Sequence, residues 1–429
     1  MSEPTFRVTT LGCRVNRADS LDIEREMMAR GFTRAETGTV PDVWVVNTCA
    51  VTAEGMRKSR KAVRKCAASG ARVMVTGCGV DLEAQAFEVD GVESLFKNEQ
   101  KSELPGAACD STALAPGIPW TPVDLSRVPV KVQEGCKRFC TYCIVPYLRP
   151  KHHSRAVTDV VRQVRSLAGL AVGEVILCGI DLGSYRDPET TSGLSGLARA
   201  VAEAAPEAWV RLSSIELFDV DEGLLELMRE GVVCRHLHVP LQSGDAHVLK
   251  AMGRDYDPGR FEERVREIAD AVPGVSITSD VMAGFPGEDR KAFENTFGLV
   301  ERIGFGRLHV FKYSRRPGTR AYSLGDPVEP GEKHARALEL RSLGSRLASH
   351  FHAGLVGRII PVLVEDVMKD EPGMVFGRAE SFAGAVFEGR RDLVGRRVML
   401  EVTGSDSSCL RGVVAGPDER RMEGEPCGR

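Results

Sequence analysis

Hydrophobic positions along the chain fall into three regimes. In residues 5–100, short apolar runs at 6–11, 43–47 and 72–76 alternate with helix-period segments at 20–30 and 53–68. A strand buried on both faces reads as a near-continuous apolar run, whereas a helix shows apolar residues every three to four positions. Strands alternating with helices predict βαβ units and a parallel sheet. Residues 101–127 are rich in Pro, Ala and Gly and have no period. They predict a linker over 106–127, between an α/β unit at 3–105 and a second unit at 128–352.

The second unit repeats the alternation. Strands are expected at 128–133, 173–178, 209–215, 236–241, 276–282 and 307–313, with helices near 158–169, 194–204, 221–230, 258–271 and 289–303. Six such repeats predict a (β/α)6-type partial barrel, closed outside by a helix over 330–351. Residues 353–416 change character again. Short strands at 359–365, 374–380, 385–388, 396–403 and 410–415, separated by Gly, predict a small β-barrel of oligonucleotide-binding type. The polar residues 417–429 predict a disordered tail. The fold class is α/β, with that barrel appended.

Composition narrows the function. Net charge is −3 with 57 basic residues, so a nucleic-acid role has to rest on local patches rather than on overall charge. The N-terminus has no basic start followed by an apolar run, and no window approaches the ~18 apolar residues of a membrane span. A cytoplasmic chain with no membrane partner is the expectation. Twelve cysteines in such a chain point to metal or cluster ligation, catalysis or packing, because the cytosol keeps thiols reduced.

Cys136, Cys140 and Cys143 in GCKRFCTYCIVPYLRP are spaced C-x3-C-x2-C directly after an expected strand. Three thiolates on one tight loop can hold three irons of a 4Fe-4S cluster and leave the fourth iron open. A zinc loop completed by His152 or His153 is the alternative. Tyr142 offers an aromatic face for a bound adenine. The spacing at a β/α-barrel mouth resembles the radical S-adenosylmethionine signature. That resemblance implies a methionine moiety chelating the open iron and an electron that cleaves the sulfonium to a 5′-deoxyadenosyl radical.

Cys13, Cys49 and Cys78 repeat a second pattern, each following a strand: FRVTTLGC, VWVVNTC and RVMVTGC. The carboxyl ends of parallel strands share one sheet edge, so the three cysteines should converge there on a second cluster. TLGCRVNRADS, NTCAVTAEGMRKSR, VTGCGV and EGCKRFCTYCIVPYLRP together resemble the methylthiotransferases, from residue 10 to about 414, including a TRAM-like C-terminal barrel. The resemblance implies that Cys13, Cys49 and Cys78 hold an auxiliary 4Fe-4S cluster. It also implies two clusters in all, S-adenosyl-L-methionine used twice per turnover, an external electron donor and a tRNA anticodon loop as partner, with no DNA. TLGC-[KR]-VN with NTC-x-VT is similar to the branch that acts on threonylcarbamoyladenosine. The expected reaction is therefore addition of a methylthio group to C2 of N6-threonylcarbamoyladenosine at tRNA position 37. The rivals are the isopentenyladenosine branch and a non-catalytic iron–sulfur RNA-binding protein.

Other candidates follow from position. Arg57, Lys61, Arg64 and Lys65 share a helix face soon after Cys49 and, with Arg149 and Arg155, are expected to contact RNA phosphate. Gly179, Gly183, Ser213, Ser214, Glu216, Gln242 and Ser243 lie at strand ends of the barrel, where cofactor contacts are expected. His236 and His238 alternate on one strand and read as a hydrogen-bonded core pair rather than a metal pair. Asp280 and residues 284–288 mark a further strand end without an assigned role. Cys66, Cys109, Cys178, Cys234, Cys409 and Cys427 lack ligand spacing and read as packing or surface thiols.

Overall fold

The computed structural model describes residues 3–109, 126–167, 169–170 and 172–416. Most of the expected linker, all of the expected tail and Cys427 lie outside the described residues.

Five strands form the N-terminal sheet: β1 (Thr5–Thr10), β2 (Thr33–Arg34), β3 (Val43–Thr48), β4 (Arg72–Gly77) and β5 (Val92–Phe96). All pair in parallel, in the order β2-β1-β3-β4-β5, which puts the three cysteine-bearing strands side by side. Helix α1 (Arg14–Ala29) starts at Arg14, six residues before the periodic segment. Its first turns bury Asn16, Asp19 and Ser20, so no apolar period announces them. Helix α2 (Ala53–Ala67) is capped by the Thr52 hydroxyl accepting from the Gly55 N–H. Helix α3 (Cys78–Glu83) begins on the third cysteine itself.

The second unit contains all six expected barrel strands: β6 (Arg127–Glu134), β8 (Glu174–Gly179), β9 (Trp209–Leu212), β10 (His236–His238), β11 (Ser276–Ala283) and β12 (Arg307–Lys312). A short antiparallel β7 (His153–Ser154) is added at the edge. β6, β8 and β9 pair in parallel, as do β10, β11 and β12, and a Ser214–His238 bridge joins the two sheets. The helix Pro330–Ala353 packs across β12.

Side-chain alternation separates two surfaces of this partial barrel. Val128, Val130, Val132, Val175, Leu177, Val210, Leu212 and Leu237 join the outer apolar core under the helices. Arg127, Glu174, Arg211, His236, His238 and Thr278 take the alternate positions and give the barrel a polar lumen. α1 packs along β6 and β8 on that inner side, where Val15 and Ala18 meet Cys178.

Five strands, β13 (Ile359–Val367), β14 (Met374–Ala379), β15 (Gly384–Glu388), β16 (Arg397–Ser405) and β17 (Leu410–Val414), close a small barrel in the order β13-β14-β15-β17-β16. The β14–β15 turn pushes Phe382, at φ 73°, into the amino-terminal end of the larger barrel. There its ring stacks on His236 at 4.5 Å and 15°. Arg211, fully buried, donates to the carbonyls of Ala379 and Glu380 at 3.3 and 2.8 Å. Arg127 bridges Glu174 and Glu365. Among the described residues, no helix is long and apolar enough to cross a membrane.

Candidate functional site

Hydrogen bonds between loops bring the strand-end cysteines together. Asn16, three residues after Cys13, donates to the carbonyls of Leu11 and Thr48 at 2.8 and 2.9 Å. Asn47 donates back to the Asn16 carbonyl at 2.8 Å, and the Thr48 hydroxyl donates to Thr76 at 2.6 Å while accepting from Gly79 N–H. The Asn and Thr of the VN and NT motifs are thus the ties between the β1, β3 and β4 ends. Each such buried bond contributes about 1 kcal/mol and fixes the loop ends beside the cysteines. Ser59 of α2 clasps the backbone of Cys49 from both sides.

These ties leave Cys49 electrostatically coupled to both Cys78 and Cys13. Gly12, at φ 101°, lies so close that a Cβ there would sit 2.8 Å from Cys49 Cβ and 3.0 Å from its Sγ. Burial raises the Cys49 thiol above its ordinary range. Asn98 directs its amide at Cys78 Sγ at 3.6 Å, and Arg149 also reaches that sulfur.

The second trio sits on the loop after β6. Phe139 holds φ 49° there, which a non-glycine residue adopts only where the surroundings enforce it. Burial pushes Cys136 up to about 11 and Cys143 up to about 12, and both thiols feel Cys140. N–H groups face the sulfurs: Arg138 backbone to Cys136 at 3.4 Å and Arg254 to Cys140 at 3.8 Å. Among the described residues, no three His, Cys, Asp or Glu side chains surround one metal-ion position. His152, the candidate fourth zinc ligand, bonds Ser184 at 3.0 Å instead, and His153 lies in the edge strand β7. N–H donors aimed at Cys78 in one trio and at Cys136 and Cys140 in the other suit iron–sulfur cubes, whose sulfurs accept such hydrogen bonds.

Above the second trio, the strand ends present the expected polar groups. Glu216 takes a bidentate pair from Arg254 at 2.8 and 2.5 Å. Ser213 is buried at the end of β9. Gln242 holds φ 66°, and its buried Oε1 has no partner, an acceptor left for something that enters the barrel mouth. Gly179 lies against Gln133, and Gly183 against Asp219, closer than any side chain permits. Tyr142 packs edge-on to Phe285 beside the cysteine loop. Ser214 is exposed, whereas Ser243 is turned away to Thr296 at 3.2 Å. His236 and His238 share the Thr278 hydroxyl at 3.0 and 2.9 Å.

The basic residues divide. Arg57, Lys61, Arg64 and Lys65 are all exposed on α2; Arg57 pairs with Glu54, while Lys61, Arg64 and Lys65 have no acidic partner among the described residues. Arg149 corrects the expectation of a phosphate contact. It is 4 % exposed, and its guanidinium is committed to Asp19 at 2.9 Å and Glu134 at 2.7 Å, because it closes the seam between the two units. Arg155 is half-buried and donates to the Lys131 carbonyl and Gln163. Sequence reasoning missed Arg138, Arg254 and Arg316. Arg138 ties Asp181 to Asp219, and Arg316 reaches from the barrel to the carbonyl of Ala50, beside Cys49. A lone arginine carries no periodic signal that could have found them.

Comparison with known proteins follows the same division. The Radical SAM superfamily model matches residues 130–300, and the model described as uncharacterized protein family UPF0004 matches residues 5–96. A threonylcarbamoyladenosine tRNA methylthiotransferase of Bacillus subtilis is 30% identical over 93% of this chain and 93% of its own. A tRNA-2-methylthio-N(6)-dimethylallyladenosine synthase of Chlorobium luteolum is 30% identical over 95% of this chain and 96% of its own. Among solved structures, a radical S-adenosylmethionine methyltransferase from Kitasatospora setae aligns at TM-score 0.54 and 14% identity, covering 72% of this chain and 73% of that one, a likeness of fold.

Proposed function

Because the chain belongs to the radical S-adenosylmethionine methylthiotransferase family, we propose that this tRNA methylthiotransferase acts at C2 of N6-threonylcarbamoyladenosine at position 37 of the anticodon loop. Cys136, Cys140 and Cys143 would hold the radical-generating cluster, and Cys13, Cys49 and Cys78 an auxiliary one. When bound, the first cluster with S-adenosyl-L-methionine supplies the one-electron chemistry that an aryl C–H demands and that no side chain provides. An external electron donor completes the requirement.

The protein's own groups position and exclude. Gln242, Ser213 and the Glu216–Arg254 pair offer the polar contacts for S-adenosyl-L-methionine, with Tyr142 an aromatic face, while Gly179 makes room for the Gln133 side chain rather than for the cofactor. Lys61, Arg64 and Lys65, with Arg57, form an exposed cationic strip starting one turn into α2, suited to tRNA phosphates. Arg155, half-buried and bonded to the Lys131 carbonyl and Gln163, is not part of that strip.

The polar lumen is the observation that carries the substrate. An isopentenyl group calls for an apolar pocket, because buried polar groups facing a hydrocarbon lose their partners. Here Arg127, Glu174, Arg211, His236 and His238 face the interior, and of the polar groups there Arg14 and His238 stay partly exposed to an incoming substituent. The test is mass spectrometry of tRNA nucleosides from a strain lacking this chain and from the complemented strain. The 2-methylthio derivative of threonylcarbamoyladenosine should vanish and return. Loss of the isopentenyl derivative instead would overturn the reading.

Gly12 supplies a second test. Gly12→Ala should displace Cys49 and lower methylthio product more than about tenfold, while 5′-deoxyadenosine formation persists at the other trio. Product yield and deoxyadenosine yield measured on one preparation check it.

A further inference from the structure

The lumen floor holds four arginines around one phenyl ring. Arg14, Arg127, Arg211 and Arg378 place their guanidiniums 5.5, 5.5, 5.3 and 4.4 Å from the Phe382 centroid. The acids there are already committed. Glu174 takes Arg127 and Arg211 at 2.7 and 2.8 Å, and Glu365 takes Arg127 and Arg378 at 3.0 and 2.8 Å. Glu380 accepts from the Arg235 backbone at 3.0 Å, and Asp280 faces His238 and His309. Among the described residues, Arg14 makes no hydrogen bond or ion pair; it lies over the Phe382 ring and feels Glu174, already held by Arg127 and Arg211, from beyond ion-pair distance.

A second group on the same ring is also unsatisfied. His236, 1 % exposed, leaves Nδ1 without a partner. Burial and the neighbouring Arg211, His238 and Arg14 keep its imidazole neutral. A half-buried guanidinium without an anion is costly, and so is a bare imidazole nitrogen. Both costs fall where the lumen admits an anionic group. Arg14 also comes directly after Cys13, so whatever it grips is held beside the first trio.

We propose that Arg14 reads the carboxylate carried by the N6 substituent of the target nucleoside, with His236 Nδ1 as a secondary polar contact. The assignment rests on the substrate reading above. A planar guanidinium matches a carboxylate with two parallel hydrogen bonds, and a neutral substituent offers no equivalent.

The experiment uses the reconstituted full-length enzyme and anticodon stem-loop RNAs. These carry threonylcarbamoyladenosine, its methyl ester, or isopentenyladenosine. The readout is the acid-to-ester ratio of kcat/KM within one preparation, which does not depend on cluster loading. Wild-type enzyme should favour the acid about 10- to 100-fold, Arg14→Gln should abolish that preference mainly through KM, and Arg14→Lys should restore part of it. Arg14→Gln retaining the wild-type ratio overturns the Arg14 assignment alone, as does loss of acid and ester by one common factor. Wild-type enzyme that modifies only the isopentenyl RNA overturns the substrate reading and this assignment with it.

Discussion

A variant with Cys136, Cys140 and Cys143 all replaced by Ala should form no 5′-deoxyadenosine and no methylthio product, yet keep about half of its iron. The loss is complete because the radical chemistry lies in the cofactor, and no side chain replaces it. The retained iron follows from the architecture. One trio is set by ties among Asn16, Asn47 and Thr48 at a sheet edge; the other sits on a single loop after β6. Removing one leaves the other's ties intact. Anaerobic iron and sulfide counting, with deoxyadenosine measured by chromatography, checks both halves. The complementary variant of Cys13, Cys49 and Cys78 should keep deoxyadenosine formation and lose the methylthio product. If either triple variant loses all iron, the two trios do not load independently.

Asp19→Ala should be the most destabilising single substitution at the domain seam, by about 3–5 kcal/mol, because it strands buried cations. Asp19 is 4 % exposed and holds Lys101 at 2.6 Å, Arg149 at 2.9 Å and Lys131. Burial pushes its carboxyl up, but Lys101, Lys131 and Arg149 outweigh burial and hold it well below the usual carboxylate range. A carboxylate with a depressed folded pKa lends stability that is full above the unfolded value, about 3.9, and is lost as pH falls through the folded one. The urea midpoint difference between wild type and Asp19→Asn should therefore stay constant from about pH 8 to 5. A difference that narrows within that window would show that Asp19 is not the group holding the seam.

Much of this was legible in the chain. All six barrel strands and five C-terminal strands lie where apolar runs and glycines place them, because strand burial leaves a direct imprint on residue type. The strand-then-cysteine repeat gave the order of the N-terminal site. Burial of polar residues left no such imprint. Asn16, Asp19 and Ser20 resemble a solvated helix face, so the pattern does not show the first turns of α1, although they tie the sheet edge and hold the seam. Arg149 shows the same confusion: an arginine beside a cysteine loop looks like a phosphate contact, while its acidic partner Asp19 lies 130 residues away. β2 and β5 were too short or too polar to signal strands, and their places follow only from pairing with β1 and β4.

The turn bearing Phe382 alters what the C-terminal barrel is for. Its aromatic tip caps the amino-terminal end of the larger barrel, with the Phe382 ring against His236, Arg127 and Arg211. A short-lived carbon radical survives only while bulk solvent is kept out. Cutting away 353–416 should therefore open the buried Arg211, Glu174 and His236 to water, and the enzyme should then form 5′-deoxyadenosine without modifying its base.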